Sequence, residues 1–218
     1  MYNRFVDNFA SFDFETVGAY DMPLLKLQSF NVSNNLTSFN ERKQADGIHF
    51  FIDDYQFQRI WNNPEAYVQM LKRYKFVCSP DFSLYTDMLK ALQIFNTYKK
   101  QWLARYFQEH GINVISTVSW SDEASFDFCF DGIPEGSCVA VSSIGVWKNP
   151  ECLAAFKKGY EEMIRRIKPS KILFMGKVPI EYEQDNVIHL NFRCEKFRNE
   201  GKCSNAIKYS NVWREGCK

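Results

Sequence analysis

Phe76-Val77-Cys78-Ser79-Pro80-Asp81-Phe82-Ser83 is a short apolar run that ends abruptly in small polar and acidic residues. Val114-Ile115-Ser116-Thr117-Val118-Ser119-Trp120-Ser121-Asp122 repeats the pattern. Each reads as a buried strand that stops at turn-forming residues. Between them, Leu84, Met88, Leu92, Phe95, Trp102 and Tyr106 recur at intervals that suit one core-facing side of a helix, and Gly111 supplies its stop. A strand, a helix and a strand in that order form the unit that pairs parallel strands through a right-handed crossover. Sheets built this way hold ligands at the carboxyl ends of their strands.

The same alternation extends in both directions. Toward the amino terminus, Ile48-His49-Phe50-Phe51-Ile52 is an apolar strand closing on Asp53-Asp54. A helical segment then runs through Asn63-Pro64-Glu65 to Tyr74, with Asn63 as cap, Pro64 in the first turn and Glu65 against the positive helix end. Residues 22–30 suit a first strand, and residues 31–46, rich in Asn, Ser and charge, suit a loop. Toward the carboxyl terminus, a short helix begins near Ser121, and a Gly- and Pro-containing turn leads into the strand from Cys138 to Ser142. The Asn-Pro-Glu triplet returns at Asn149, opening a helix with Leu153, Phe156, Tyr160, Met163, Ile164 and Ile167 on one stripe. Ile172-Leu173-Phe174-Met175, stopping at Gly176-Lys177, and Val187-Ile188-His189-Leu190 are the last strands. The expected fold is α/β, a mostly parallel sheet of repeated strand-helix units, barrel-like or open and doubly wound, in one domain spanning residues 1–218.

The 218 residues suit one domain with a real core, and 45% hydrophobic with 24% charged residues is the balance of an ordinary globular protein. No apolar run approaches the ~20 residues needed to span a bilayer, and Asp7 interrupts any leader-like start, so a cytoplasmic protein without a membrane partner is expected. A net charge of +1 and a pI near 7.5 disfavour a broad nucleic-acid surface. The tail over residues 193–218, with Arg193, Lys196, Arg198, Lys202, Lys208, Arg214 and Lys218, keeps nucleic acid as the less favoured partner. Seven cysteines, an odd number with several inside apolar segments, point to a reducing compartment. Cys194, Cys203 and Cys217 with His189 would make four metal ligands, but their spacing is unlike that of a zinc module. The high aromatic content, 17%, reads as core rather than as a base-stacking track.

If the sheet is parallel, the groups following each strand gather along one edge. Asp81, Asp122 and Asp53 are the candidates for acid-base catalysis there. Asp54, Ser83, Ser119, Trp120, Ser142 and Lys177 are the candidates for ligand binding. Clustered carboxylates would also suit a hard cation, so Mg²⁺ is the cofactor to consider, although no ligand set is assigned to it. Lys177 is the sole cation of this set, placed to meet a phosphate or carboxylate. Each residue also has a plain structural role: Ser83 and Ser121 as helix caps, Asp81 in a turn after Pro80, Asp53 or Asp54 at a helix start. The glycine-rich nucleotide fingerprints are absent, and His49, His110 and His189 fall outside the strand ends. A small polar or phosphorylated ligand, with a nucleotide among the candidates, is therefore the expected partner. The alternative is an accessory protein that binds a protein or nucleic acid.

Four stretches together resemble a known family: Phe51-Ile52-Asp53-Asp54-Tyr55 with Ile60-Trp61-Asn62-Asn63-Pro64, the run from Ser79 to Met88, Val118-Ser119-Trp120-Ser121-Asp122-Glu123, and Phe128-Cys129-Phe130-Asp131-Gly132-Ile133-Pro134. The chain is similar here to the bacterial and phage domain-of-unknown-function family numbered forty-four seventeen. The likeness covers residues 47–179. It implies a setting in bacterial chromosomes, prophages and mobile elements, and supplies no activity.

Overall fold

The computed structural model describes residues 14–190. In chain order the strands and helices are β1 (Thr16–Val17), β2 (Met22–Pro23), β3 (Leu36–Ser38), β4 (Gly47–His49), α1 (Asp54–Asn62), α2 (Glu65–Leu71), β5 (Phe76–Cys78), α3 (Lys90–Glu109), β6 (Val114–Thr117), β7 (Cys138–Ser142), α4 (Pro150–Ile167), β8 (Lys171–Met175) and β9 (Val187–Leu190). β1 and β2 form a small antiparallel pair. The other seven make one sheet in sequence order, every neighbour parallel. Because each right-handed crossover advances one strand in the same direction, the connecting helices stack on one face and the sheet curls into a half-barrel. This selects the barrel-like reading over the doubly wound one, which needs the strand order to reverse.

Side chains alternate across the sheet as the pleat requires. Ile48, Val77, Val114, Val139, Val141, Ile172 and Phe174 face the helices and join Phe57, Trp61, Leu103, Phe107, Phe156 and Met163 in the main core. Phe76, Cys78, Ile115, Ala140, Leu173, Met175 and Leu190 form the opposite face, on which Phe30 and Val32 pack. The two sides are apolar because a parallel sheet is covered on both.

Several elements differ from the sequence reading. The segment expected to be a loop, residues 31–46, contributes β3, whose Leu36, Thr37 and Ser38 pair with Gly47, Ile48 and His49. A three-residue edge strand with one aliphatic side chain leaves no periodic signal. Of residues 22–30 only Met22–Pro23 is strand, and it pairs outside the main sheet. The helical segment before Tyr74 is two helices broken at Asn63-Pro64, and Asn63 closes the first, its backbone N–H donating to the Arg59 carbonyl, while Pro64 is the N-cap of the second. At the second Asn-Pro-Glu triplet Asn149 does cap: its side chain accepts from the Glu151 N–H at 2.8 Å. α3 begins at Lys90, which leaves residues 79–89 without regular structure apart from a turn.

Its orientation also differs from the apolar stripe. Trp102 and Tyr106 are buried as expected, but Leu92 is 52% and Phe95 37% exposed, while Gln93, Thr97, Lys100, Gln101 and Gln108 are all 7% or less. Those five polar positions lie within one arc of a 3.6-residue helix.

α4 is held by a close contact. A Cβ on Gly159 would lie 2.1 Å from Nε1 of Trp120, whose ring also packs on Phe156 and Phe130. Gly159→Ala at an open helical site would stabilise by up to ~1 kcal/mol. Here overpacking reverses the sign, and urea unfolding is expected to show a loss of about 1–3 kcal/mol. A stabilised variant would contradict this packing.

Candidate functional site

The carboxyl ends of β5 and β6 are knitted by two adjoining contacts. The Thr117 N–H donates to Ser79 Oγ at 2.9 Å, and Thr117 Oγ1 donates to the Ser79 carbonyl at 2.6 Å. This fixes the direction in which both chains leave the sheet. One leads through Pro80 to Asp81, the other through Val118 to Ser119, and α3 lays Lys100 against both. Lys100 Nζ is 3.7 Å from Asp81 Oδ1 and donates to Ser119 Oγ at 2.5 Å. The Lys100 side chain is 4% exposed. That of Asp81 is 22% exposed, yet its Oδ1 is buried and lies beyond hydrogen-bond distance of Lys100.

A second group adjoins the first. Asp54, the opening residue of α1, accepts from the Ser83 N–H at 3.1 Å and from Ser83 Oγ at 2.8 Å. Asn96 Nδ2 donates to the Ser83 carbonyl at 2.7 Å. Lys99 Nζ lies 3.9 Å from the centre of the Phe82 ring and 5.2 Å from that of Phe95, a cation resting on two aromatic faces. Residues 79–89 are thus pinned from α1 on one side and α3 on the other.

The electrostatics follow from burial. Desolvation pushes the Asp81 carboxyl above its ordinary pKa, the Asp54 charge adds to the rise, and Lys100 opposes it. Desolvation likewise lowers Lys100, with Asp81 opposing. Lys99 is brought down to about 8 by desolvation, opposed by Asp54. Burial raises the Cys129 thiol to about 12 despite the Lys100 charge, so it is held as an inert thiol. At the mouth, Tyr85 is raised by partial burial and further by Asp54, Asp81 and Asp53.

The structure brings four of the sequence candidates together: Asp54, Asp81, Ser83 and Ser119. Asp53 lies at the rim, exposed and accepting from Gln56 Nε2 at 3.1 Å. The other four are engaged elsewhere. Asp122 is exposed and caps the turn Glu123–Asp127 by accepting from the Ala124 N–H. Trp120 packs on Gly159. Ser142 Oγ accepts from the Ile144 N–H at 3.2 Å. Lys177 is exposed over the Trp147 ring, 4.2 Å from its centre. The cations at the cluster are Lys99 and Lys100, not Lys177. Sequence reasoning missed them because two lysines inside a helix read as solvated surface. The signal that could have found Lys100 is the polar arc of Gln93, Thr97, Lys100, Gln101 and Gln108 on one side of α3; Lys99 lies outside that arc, on the side of Phe95.

Among the described residues no set of three or more His, Cys, Asp or Glu is arranged to hold a metal ion. The carboxylates do not fit Mg²⁺: the Asp54 oxygens are occupied by Ser83, and Asp81 faces an ammonium. His189 is exposed and contacts Glu183, while Cys194, Cys203 and Cys217 lie outside the described residues. No described helix is long and apolar enough to cross a membrane. A cavity of about 10 Å³, room for one water, lies at the opposite sheet edge against Gln28, Phe30 and Cys138. An open groove of about 350 Å³ runs between Phe126 and α4, also away from the cluster.

Fold and site together define a singly wound parallel α/β half-barrel with a buried lysine-carboxylate cluster at its strand ends. The chain belongs to the family described as domain of unknown function (DUF4417), which it matches over residues 14–193. That match is wider than the stretch carrying the sequence resemblance. The chain is 39% identical over 172 residues to the Gene 1 protein of Mycobacterium phage L5, covering 76% of this chain and 75% of the relative. It is 36% identical over 172 residues to the Gene 1 protein of Mycobacterium phage D29, covering 76% of this chain and 63% of the relative. No solved structure matches it.

Two measurements probe the cluster. Removing one partner of a buried pair strands the other, so Asp81→Asn and Lys100→Met are each expected to cost about 3 kcal/mol in denaturant unfolding. The double variant should cost less than their sum by at least ~1 kcal/mol, and strict additivity would show that the pair is not coupled. For Lys99 the sign is set by a pKa of about 8 against an ordinary 10.5. The unfolded chain binds more protons between these values, so stability gains with pH across the window. Relative to Lys99→Met, the wild-type protein should become more stable from pH ~8 to ~10.5, and parallel pH profiles would contradict the assignment.

Proposed function

We propose that the strand-end cluster of Asp54, Asp81, Ser83, Lys100 and Ser119 binds a small polar ligand and handles a proton on it. The observation that carries this reading is Lys100. A lysine in a helix ordinarily extends its ammonium to water. This one is buried at the carboxyl edge of a parallel sheet, between a carboxyl and a hydroxyl whose strands meet there. Buried, strongly perturbed groups with a specific charge partner cluster at functional sites.

The charge balance narrows the ligand class. Three carboxyl groups, Asp53, Asp54 and Asp81, outnumber the two lysines, Lys99 and Lys100, so a neutral or zwitterionic polar molecule suits the cluster better than a polyphosphate. A phosphorylated ligand, a nucleotide included, would need its charge met by these same two lysines. Asp81 and Lys100 are the groups placed to exchange a proton, Ser83, Asp54 and Ser119 those placed to orient the ligand.

One observation favours a second reading, an accessory protein that binds another macromolecule. Leu89, just before α3, and Leu92 and Phe95 on its first turns follow one another at three-residue spacing and are 74%, 52% and 37% exposed. An apolar row on a helix whose other side is polar and buried is the kind of surface partners use.

Thermal melting with a panel of sugars, amino acids, inorganic phosphate and nucleotides tests the preferred reading. A ligand present at a hundred times its Kd adds about 2.7 kcal/mol, which for a chain of this size raises Tm by roughly 5–10 °C. At least one compound should do so for the wild-type protein and lose its effect on Asp81→Asn. No shift across the panel, with no small molecule in native mass spectra of the purified protein, would overturn the proposal.

A further inference from the structure

We infer that Lys100 is a reactive amine that condenses with the carbonyl carbon of a small polar aldehyde or ketone, with Asp81 carrying the protons. The inference rests on the strand ends being a ligand site and adds a substrate class and a bond to it.

An ammonium in water is not a nucleophile; a desolvated lysine beside a proton acceptor is. Lys100 Nζ has both features, with 4% of its side chain exposed, Asp81 Oδ1 at 3.7 Å and Ser119 Oγ in hydrogen-bond contact. Burial disfavours the charge on each member of the pair, and passing one proton from Lys100 to Asp81 removes both charges at once. Ser119 and Asp81 are both half-buried and mark the outer side of the trio, with Lys100 behind them. Cys129, the nearby thiol, is held protonated by burial and does not compete as a nucleophile.

The step balances without an outside reagent. The neutral amine attacks the carbonyl carbon, a C–N bond forms, and the C=O π pair moves to oxygen. That oxygen takes the proton from Asp81, and the nitrogen returns a proton to the carboxylate. Asp81 then protonates the hydroxyl of the carbinolamine, water leaves as the C–O bond breaks, and C=N forms. A neutral amine, a neutral acid and a carbonyl have become an iminium, a carboxylate and one water. The pair ends with the charges it holds as an ammonium-carboxylate ion pair.

Lys99 supplies an internal comparison. It is buried on the preceding residue, but its Nζ rests on Phe82 and Phe95 rather than against a carboxyl. Exposed Lys75 and Lys168, with side chains 74% and 63% accessible, supply another.

The full-length protein should be incubated near neutral pH with glycolaldehyde and sodium cyanoborohydride, and the secondary amines mapped by peptide mass spectrometry. A desolvated, carboxyl-paired amine is expected to be labelled at least ~10-fold faster at Lys100 than at Lys75, Lys99 or Lys168. Lys100→Arg should remove that adduct and leave Lys75 labelling unchanged; Asp81→Asn should slow it. Labelling of Lys100 no faster than of Lys75 overturns the inference, and this comparison needs only the wild-type chain. If Lys100 stays unlabelled while a panel compound still raises Tm, the carbonyl chemistry fails and the ligand site stands. Loss of both removes both.

Discussion

Gln93, Thr97, Lys100, Gln101 and Gln108 are buried on one side of α3, and the elements around them are arranged to satisfy them. A buried polar group without a partner costs ~1–3 kcal/mol, so five on one helix are a strong constraint on what packs there. Gln108 exchanges bonds with the Lys26 backbone and reaches Gln28, which ties the strap after β2 to the helix. Gln101 donates to the Asp131 carbonyl. Gln93 takes the Ser121 hydroxyl and donates to the Met88 carbonyl, and Thr97 bonds back to Gln93. Lys100 completes the row at the strand ends. The helix therefore acts as a polar spine through which the loops after β5, β6 and the turn at Asp131 are held in register.

The parts of this architecture that were legible in the sequence are those whose signal is local. Val187–Leu190 and Cys138–Ser142 are strands because apolar residues meet turn chemistry at each end, and α4 is framed by an Asn cap and a Pro just past its end. β3 was not legible: Leu36-Thr37-Ser38 is held by pairing with β4, a contact that no local pattern encodes. The face of α3 was misread for a related reason. Periodicity reports that Leu92 and Phe95 lie on one side with Trp102 and Tyr106, but whether anything covers them depends on distant chain. Trp61 and Phe14 cover Trp102, while the first turns of the stripe project past the core.

The candidate site divides along the same line. Asp81, Ser83, Ser119 and Asp54 could be named from strand-end logic, because topology alone brings strand ends together. Asp122 and Ser142 also follow strands, yet each spends its side chain on the backbone two residues ahead. From sequence the two groups look alike, since Asp and Ser serve turns and ligands equally well. What separates them is a third partner from outside the strand-end set. Lys100, Asn96 and Lys99 come from the middle of a helix, and only the packing of α3 over the edge reveals them. The family resemblance located the same edge but carried no chemistry to it.

The strand order has a consequence for how this chain reaches its fold. Each strand in the main sheet pairs with the next in sequence, so no pairing waits for a segment made much later. The longest closure between neighbours is the one that contains α3, and helices form faster than the strand pairings they bridge. Loop-closure entropy is thus met in modest instalments, the circumstance under which parallel sheets are least prone to kinetic trapping. Assembly can run from β3 toward β9 as the chain leaves the ribosome, each added unit covering the edge that the last one exposed.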